Sequence, residues 1–401
     1  MIPEKVMSSL AVKTNSKIVL LIMDGVGGLP LNGKTELETA RKPNLDKLAQ
    51  GSIGGLTDPI NPGITPGSGP SHLAIFGYDP LKIDIGRGVL EAAGIGFELT
   101  GRDLAARGNF ATMNDDQVIS DRRAGRIPTA KNEQICAELQ AKIKKIDDVE
   151  VFIRPGKEHR FVIIFRGDGL QGPLTDADPQ KEGLKIKFTE APAPESKKAS
   201  DIVNKFIKEA NIILKNHHPA NTVLLRGIAK VPQIPSMTEL FKLTPACIAT
   251  YPMYKGLASL VGMKILPVGD TIASEFQTLK EQWDNYDFFY VHIKKTDSYG
   301  EDGNFENKVH IIEELDACLP QLLELKPAVI AVTSDHSTPA IMKGHSWHPN
   351  PFILHSQWER KDSLKAFTEN ECAHGIIGRF PACDAMQLML ANALKLNKFG
   401  A

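Results

Sequence analysis

The chain has 401 residues, of which 42% are hydrophobic and 24% are charged, so it can form one large or two ordinary domains with a sizeable core. Its 47 basic and 48 acidic residues leave a net charge of −1, which gives no reason to expect a nucleic acid or a membrane as partner. The five cysteines are scattered without metal-ligand or redox spacing. These features favour a protein of the reducing cytoplasm, and they leave homo-oligomerisation open.

The first apolar run, Ile18–Met23, is continuous and aliphatic, as the central strands of parallel sheets are. It is followed by Asp24, so a carboxylate lies at the strand end, where open α/β sheets form their sites. Asp24 taken singly is also compatible with an ordinary turn residue. Short helices are predicted at 35–40 and 43–48.

A turn at 66–72, Pro-Gly-Ser-Gly-Pro-Ser-His, presents Ser68 between small residues. Glycine and proline fix a sharp turn and keep bulk away from the hydroxyl. A short buried helix is predicted to start at Leu73. A serine placed just ahead of a helix is a candidate nucleophile, although most turns of this composition are only turns. His72 is compatible with either a buried core position or a functional site.

The pattern changes at about Leu104. The glycine-rich segment 84–98 before it is predicted to be a linker. Beyond it, strands are predicted at 149–153, 161–165 and 222–226, and helices at 133–146 and 199–214. This mixture indicates an α+β insert. Its arginines at 122, 123 and 126 suit either a solvated face or the binding of phosphate and carboxylate groups.

The α/β pattern resumes at about Ala246, with strands predicted at 288–293, 328–333 and 351–354. Asp297 and Glu301 follow the first of these strands, and Asp335 and His336 follow the second. His345 precedes the third. Singly, Asp335 could cap a helix, and His345 could be a surface residue.

If these strands are neighbours, their carboxyl ends bring several carboxylates and imidazoles together with Ser68. Like charges in one place repel unless cations neutralise them. Two divalent metal ions would do so, since mixed Asp and His ligation suits Mn²⁺, Zn²⁺ or Mg²⁺. A paired-metal site can also activate a serine and stabilise charge during phosphoryl transfer.

Stretches spread over nearly the whole chain resemble the archaeal-type cofactor-independent phosphoglycerate mutases, a branch of the alkaline phosphatase superfamily. The matching stretches are LIMDG at 21–25, PGSGPSHLAIFGYDP at 66–80, AARGNFAT at 105–112, DRRAGRI at 121–127, TSDHSTP at 333–339, and the segments 166–170, 175–179, 251–262, 291–303 and 345–351. Together these motifs are highly specific, although no single one would be.

The resemblance implies an α/β fold, with an alkaline-phosphatase-like three-layer core and a mainly parallel sheet, interrupted by a smaller α+β inserted domain. The metal-binding core is expected at 1–104 and 235–401, and the inserted substrate-binding domain at 105–234. Closure of the two domains is then expected to assemble the site and shelter a phosphoserine from water.

The resemblance also implies the interconversion of 3-phosphoglycerate and 2-phosphoglycerate through phospho-Ser68, with two divalent metal ions and no bisphosphoglycerate. Mn²⁺ is favoured, and Zn²⁺, Co²⁺ or Mg²⁺ would also suit. One metal is expected on Asp24, Ser68, Asp335 and His336, and the other on Asp297, Glu301 and His345. The substrate, a small phosphorylated metabolite, is expected to contact Asn109, Asp121, Arg122, Arg126, Arg154, Arg226 and Lys255.

Two places depart from the family pattern. Glu301 stands where the family has histidine, and Trp347 and His348 follow Ser346 where glycine and aspartate are usual. Glutamate is a harder and negatively charged ligand, and His348 offers an alternative one. These departures keep three alternatives open: a metal-dependent phosphomonoesterase, a mutase for another phosphorylated metabolite, or a non-catalytic relative.

Overall fold

The computed structural model describes residues 2–83, 85–360 and 362–400. The strands, numbered in chain order, are β1 Ile18–Met23, β2 Ile53–Asp58, β3 Asp103–Met113, β4 Ile119–Asp121, β5 Lys145–Ile146, β6 Val149–Pro155, β7 Arg160–Arg166, β8 Thr222–Lys230, β9 Pro245–Ala249, β10 Lys264–Ile265, β11 Phe288–Ile293, β12 Val329–Thr333, β13 Asn350–Ser356 and β14 Gly378–Pro381.

The α-helices are α1 Glu4–Leu10, α2 Glu36–Thr39, α3 Pro43–Gln50, α4 Ser68–Ile75, α5 Arg87–Gly94, α6 Thr129–Lys142, α7 Lys197–Leu214, α8 Met237–Phe241, α9 Pro252–Leu260, α10 Ile272–Glu281, α11 Lys295–Asp302, α12 Phe305–Glu324, α13 Glu369–Ala373 and α14 Ala385–Asn392. Within the described ranges, none of them is long and apolar enough to cross a membrane.

The chain divides into two compact units, one comprising Met1–Asp84 and Ile234–Ala401 and the other Ile85–Gln233. The second unit thus starts earlier than the insert predicted at 105–234. The glycine-rich segment 84–98 was expected to be a linker, and that prediction was wrong because it contains α5. A Cβ atom on Gly88 of this helix would lie 2.4 Å from the Cα atom of Ala106, so α5 packs directly on β3 of the same unit.

The described part of the first unit contains an eight-stranded sheet in the order β10-β9-β11-β1-β12-β13-β2-β14. Only β13 among these strands is antiparallel to its neighbours. The mainly parallel core predicted from the sequence is therefore confirmed. All six residues of β1 are buried, as its continuous aliphatic sequence indicated.

Helices cover both faces of this sheet. On one face, Val19, Leu21 and Met23 belong to a buried cluster with residues of α3, α10 and α12. On the other, Tyr254 of α9 lies against His292 of β11, with ring centroids 3.9 Å apart. The unit therefore has the three layers that the resemblance implied.

β1 lies between β11 and β12, so three of the candidate strand ends are adjacent. Met23 is paired with Ile293, and Ile22 is paired with Thr333. Because these strands run parallel, the loops that start at Asp24 and Lys294 and after Thr333 share one edge of the sheet.

The second unit has the α+β character predicted for it. Its antiparallel sheet has the order β4-β3-β7-β6-β5 in the described part, and β8 also pairs with β3. The helix predicted at 133–146 is α6, which starts earlier, directly after Pro128. The fixed φ angle of proline suits a helix start, and the carbonyl of Pro128 accepts the amide of Asn132. The apolar stripe of α7 packs into the core of this unit, as its helical spacing predicted.

Candidate active site

Ser68 is the first residue of α4, so the helix starts at the serine and not at Leu73 as predicted. Its position is fixed by His72, one turn later, whose Nδ1 lies 2.9 Å from the Ser68 carbonyl oxygen and 3.2 Å from Asp335 Oδ2. Both of these oxygens are acceptors, so Nδ1 carries the proton and donates it. The Ser68 hydroxyl itself lies 3.4 Å from His336 Nε2.

Asp24, Asp335 and His336 form a first cluster of buried groups that could hold a metal ion. His336 Nε2 lies 3.3 Å from Asp24 Oδ1 and 3.1 Å from Asp335 Oδ2. The three ligand atoms come from two loops at the same edge of the sheet, one after β1 and one after β12. Ser68 Oγ lies beside them, so the ligand set expected for one metal is brought together.

Thr338 fixes the proton position on His336. The Thr338 hydroxyl lies 2.6 Å from Asp297 Oδ1 and 3.0 Å from His336 Nδ1. Its single proton goes to the carboxylate, which can only accept, so His336 must donate from Nδ1. The Nε2 lone pair of His336 therefore faces the carboxylate oxygens of Asp24 and Asp335.

Burial lowers the pKa of His336 to about 4, so this imidazole is neutral near pH 7. Three acceptor atoms at contact distance then repel one another unless a cation lies between them. Asp24 Oδ1 is buried and has no hydrogen-bond partner within the protein, as a metal-facing oxygen would. The residues present thus fit a divalent metal ion, since outer hydrogen bonds commonly set the tautomer of ligating histidines.

A second group, formed by Asp297, His345 and the shared His336, could also hold a metal ion. His345 Nδ1 donates to the Pro66 carbonyl at 2.9 Å, so its Nε2 lone pair is free to face the site. That nitrogen lies 3.7 Å from Asp297 Oδ1 and 3.8 Å from Glu301 Oε1. The Glu301 side chain is 55% exposed and lies farther out than the other two side chains.

The loop after His345 does not bring a further histidine into these groups. His348 stacks on Trp347, and its Nδ1 lies 3.0 Å from Ser346 Oγ. Within the described residues, His348 belongs to neither of the two possible metal-binding groups. Among the described residues Glu301 is likewise in neither group, although its Oε1 lies 3.8 Å from His345 Nε2.

Two donors and one histidine ring that the sequence analysis did not single out surround the other oxygen of Asp24. Tyr254 donates its hydroxyl proton to Asp24 Oδ2 at 2.6 Å, Lys294 Nζ lies 3.0 Å from the same oxygen, and His292 Nε2 lies 3.5 Å from it. Burial raises the pKa of Asp24 well above its ordinary value, and the charge of Asp335 raises it further. Lys294 follows β11 directly, so its place at a strand end was the signal that could have identified it.

Two of the arginines expected to bind substrate are engaged within the second unit. Arg122 donates to both oxygens of the buried Asp178, at 3.1 and 2.6 Å. Arg226 Nε lies 3.6 Å from Asp176 and also 3.6 Å from Asp178. These aspartates hold the guanidinium groups in fixed positions through charge-assisted contacts.

The other predicted contacts differ in their surroundings. Asp121 accepts the backbone amides of Arg123 and Gly125 at 2.7 and 2.6 Å, so its carboxylate holds the arginine turn. Arg154 Nη1 donates to Gln140 Oε1 at 3.1 Å, and its guanidinium lies over Phe97. The remaining ones are the half-buried Asn109 on β3, the exposed Arg126 and the half-buried Lys255 on α9.

Comparison with known proteins gives one consistent answer. Residues 49–221 match a family model described as 2,3-bisphosphoglycerate-independent phosphoglycerate mutase. Proteins named probable 2,3-bisphosphoglycerate-independent phosphoglycerate mutase are 54% identical in Aquifex aeolicus, over 99% of this chain and 100% of the relative, and 50% identical in Thermus thermophilus, over 99% of each chain.

Two solved structures resemble the fold over nearly their full length. A protein from Pyrococcus horikoshii is 30% identical with a TM-score of 0.81, and the match covers 96% of this chain and 99% of the other. A cofactor-independent phosphoglycerate mutase from Thermoplasma acidophilum is 29% identical with a TM-score of 0.76, over 94% of this chain and 100% of the other.

Proposed function

The chain belongs to the 2,3-bisphosphoglycerate-independent phosphoglycerate mutases and interconverts 3-phosphoglycerate and 2-phosphoglycerate; from this premise, we propose that Ser68 carries the phosphoryl group between the two hydroxyls of glycerate. One observation supports the proposal above all others. The lone pairs of Asp24, Asp335 and His336 converge beside the Ser68 hydroxyl.

We propose that two divalent metal ions, with Mn²⁺ favoured, occupy the two groups of ligands. Asp24, Asp335, His336 and Ser68 would hold one ion, and Asp297, Glu301 and His345 the other. When bound, such ions lower the pKa of the serine hydroxyl and neutralise charge on the transferring phosphoryl group. The protein orients the ligand atoms in advance. His336 and His345 each donate a proton from Nδ1, which leaves the Nε2 lone pair of each ring directed into the site.

Ser68 then attacks the phosphorus of 3-phosphoglycerate, and the bond from phosphorus to the 3-oxygen of glycerate breaks. The 2-hydroxyl of the same glycerate attacks phospho-Ser68 in the second step, which returns the serine and gives 2-phosphoglycerate. The start of α4 aids both steps, because backbone amides at a helix N-terminus favour a phosphate group.

The substrate-binding residues remain a proposal based on the resemblance. A phosphorylated, carboxylated substrate carries several negative charges and needs fixed cations. We propose that Arg122, Arg226 and their neighbours supply them, and that the aspartates paired with these arginines orient them. The full set comprises Asn109, Asp121, Arg122, Arg126, Arg154, Arg226 and Lys255.

A cytoplasmic location is also a proposal. A glycolytic interconversion of phosphorylated metabolites belongs in the compartment where these metabolites occur. The described cysteines are unpaired, and Cys136, Cys247 and Cys372 are buried, which agrees with a reducing compartment.

The test is the detection of phosphoserine. Wild-type protein loaded with Mn²⁺ is mixed with 3-phosphoglycerate without bisphosphoglycerate, quenched in acid and mapped by peptide mass spectrometry. We expect phosphate on the 66–72 turn of the wild type, and neither phosphate nor turnover in Ser68→Ala. A Ser68→Ala variant that turns over normally would refute the proposal.

Ser71→Ala is the matched control. Ser71 lies in the same turn of α4, and its hydroxyl donates to the carbonyls of Gly67 and Ser68, both at 3.0 Å, with Asp335 Oδ2 farther away at 3.5 Å. This variant should still form phosphoserine. Release of inorganic phosphate in excess of isomerisation would instead indicate a phosphomonoesterase.

A further inference from the structure

Lys294 lies between the two groups of metal-binding residues. Its ammonium contacts Asp24 Oδ2 at 3.0 Å and forms a short contact with Asp297 Oδ2. Asp24 is expected on one metal and Asp297 on the other. One lysine therefore bridges a carboxylate from each site.

The two carboxylates divide their oxygens in the same way. In each, Oδ2 contacts the ammonium, while Oδ1 faces the imidazoles: Asp24 Oδ1 lies 3.3 Å from His336 Nε2, and Asp297 Oδ1 lies 3.7 Å from His345 Nε2. Lys294 thus binds the outer oxygens and leaves the inner oxygens for metal. This division lets the lysine remain in place when both sites are filled.

A cation bound to the far oxygen of a ligating carboxylate has a definite electrostatic consequence. It withdraws charge from the carboxylate and repels the metal ion, and the effect is large because the side chain of Lys294 is only 18% exposed. A metal held by such a ligand is bound less tightly and is a stronger electrophile. Outer-shell partners that raise the basicity of a ligand strengthen metal binding, so a cation that lowers the basicity of a carboxylate acts in the opposite sense.

We propose that Lys294 is a built-in cation that lowers the affinity of both metal sites and raises the electrophilicity of the bound ions. It acts through Asp24 and Asp297, so it is a positioning and tuning residue and not a catalytic one. The inference rests on the metal assignment of the proposed function, but it does not depend on phosphorylation of Ser68.

The experiment is a calorimetric titration of metal-stripped protein with Mn²⁺, in wild type and Lys294→Met. We expect the variant to bind Mn²⁺ about tenfold or more tightly, which is the size of typical outer-shell effects on metal affinity. We also expect kcat to fall and the acidic limb of the pH–rate profile to move to higher pH, because the bound ions activate the serine less. A merely structural role would weaken metal binding.

Two further variants separate charge from geometry and from general damage. Lys294→Gln keeps a donor for one carboxylate but loses the charge, so it should also bind Mn²⁺ more tightly, whereas Lys294→Arg should stay close to wild type. Lys295→Met is the matched control, because Lys295 is the exposed neighbour on α11. It should leave the affinity unchanged.

The outcomes distinguish this inference from the proposed function. An unchanged or weaker Mn²⁺ affinity in both Lys294→Met and Lys294→Gln overturns the inference alone. A wild-type protein that binds no divalent metal overturns both. Tighter binding in a protein whose Ser68 is never phosphorylated supports the inference and refutes the phosphoserine.

Discussion

Thr338 offers the sharpest test of how the metal-binding groups are held ready. Its hydroxyl donates to Asp297 Oδ1 at 2.6 Å and accepts from His336 Nδ1 at 3.0 Å. Thr338→Val replaces this hydroxyl by a methyl group of similar shape, so the change removes two hydrogen bonds and little volume. Asp297 and His336 each belong to a group that could hold a metal ion, and in the variant each loses a fixed orientation.

The expected effect can be derived from these two bonds. A hydrogen bond to a charged group contributes about 1.5–3 kcal/mol and a neutral one about 0.5–1.5 kcal/mol. Part of this sum is lost equally in the metal-free and metal-bound protein. Outer-shell substitutions weaken metal binding by about 10–100-fold, which corresponds to about 1.4–2.8 kcal/mol. We therefore expect a weakening in this range.

Calorimetric titration of metal-stripped protein with Mn²⁺ measures the effect. Thr338→Ser is the matched control, because it keeps the hydroxyl and should bind Mn²⁺ as the wild type does. Thermal unfolding of the metal-free variants shows that both fold. If Thr338→Val binds Mn²⁺ as tightly as the wild type, the proton assignment on His336 is wrong, and the argument for converging lone pairs fails with it.

Three further predictions concern the same edge of the sheet. Mn²⁺ affinity should rise with pH above the ordinary carboxyl pKa of about 4, because burial raises the pKa of Asp24 and the metal must displace its proton; a flat profile contradicts this. Gly25→Ala should destabilise the protein by about 1–3 kcal/mol, since φ is +60° and the new Cβ would lie 2.5 Å from Thr338 Oγ1. Gly33→Ala is the control, because φ is +88° there and no atom lies within 4 Å of the new Cβ, so thermal unfolding of this variant measures the cost of backbone strain alone. Equal losses of stability in the two variants would contradict the predicted collision. Glu301→Ala should weaken the binding of a second Mn²⁺ while Asp302→Ala does not, and equal titrations would remove Glu301 from the site.

The strand-end carboxylates could be predicted because their signal is local. A continuous aliphatic run such as Ile18–Met23 identifies a buried parallel strand, and the next polar residue must lie at the sheet edge. The same reasoning identified Asp335 after β12. The carboxylates lie close together because β1 lies between β11 and β12.

The outer contacts could not be predicted, because they depend on register and side-chain direction. Tyr254 reaches Asp24 from α9, across 230 positions of sequence. Lys294 has the same strand-end position as Asp24, but a lysine there is ordinarily taken as a solvated charge. The prediction of a linker at 84–98 was wrong because its glycines were interpreted as a sign of an irregular segment. In the structure, Gly88 instead permits a close approach of a helix to a strand.

The contacts of the histidines link the candidate metal-binding groups to the turn that carries Ser68, the proposed nucleophile. His345 turns its Nε2 toward Asp297 by donating from Nδ1 to the Pro66 carbonyl, two residues before Ser68. His72 donates to the Ser68 carbonyl and to Asp335 with the same nitrogen. The turn that carries Ser68 is thus held by histidines that also contact carboxylates of the two candidate metal-binding groups. A change that moves either ring must therefore disturb both the turn that carries Ser68 and a carboxylate of a candidate metal-binding group, because His72 makes both contacts through Nδ1 and His345 makes them through the two nitrogens of one rigid ring.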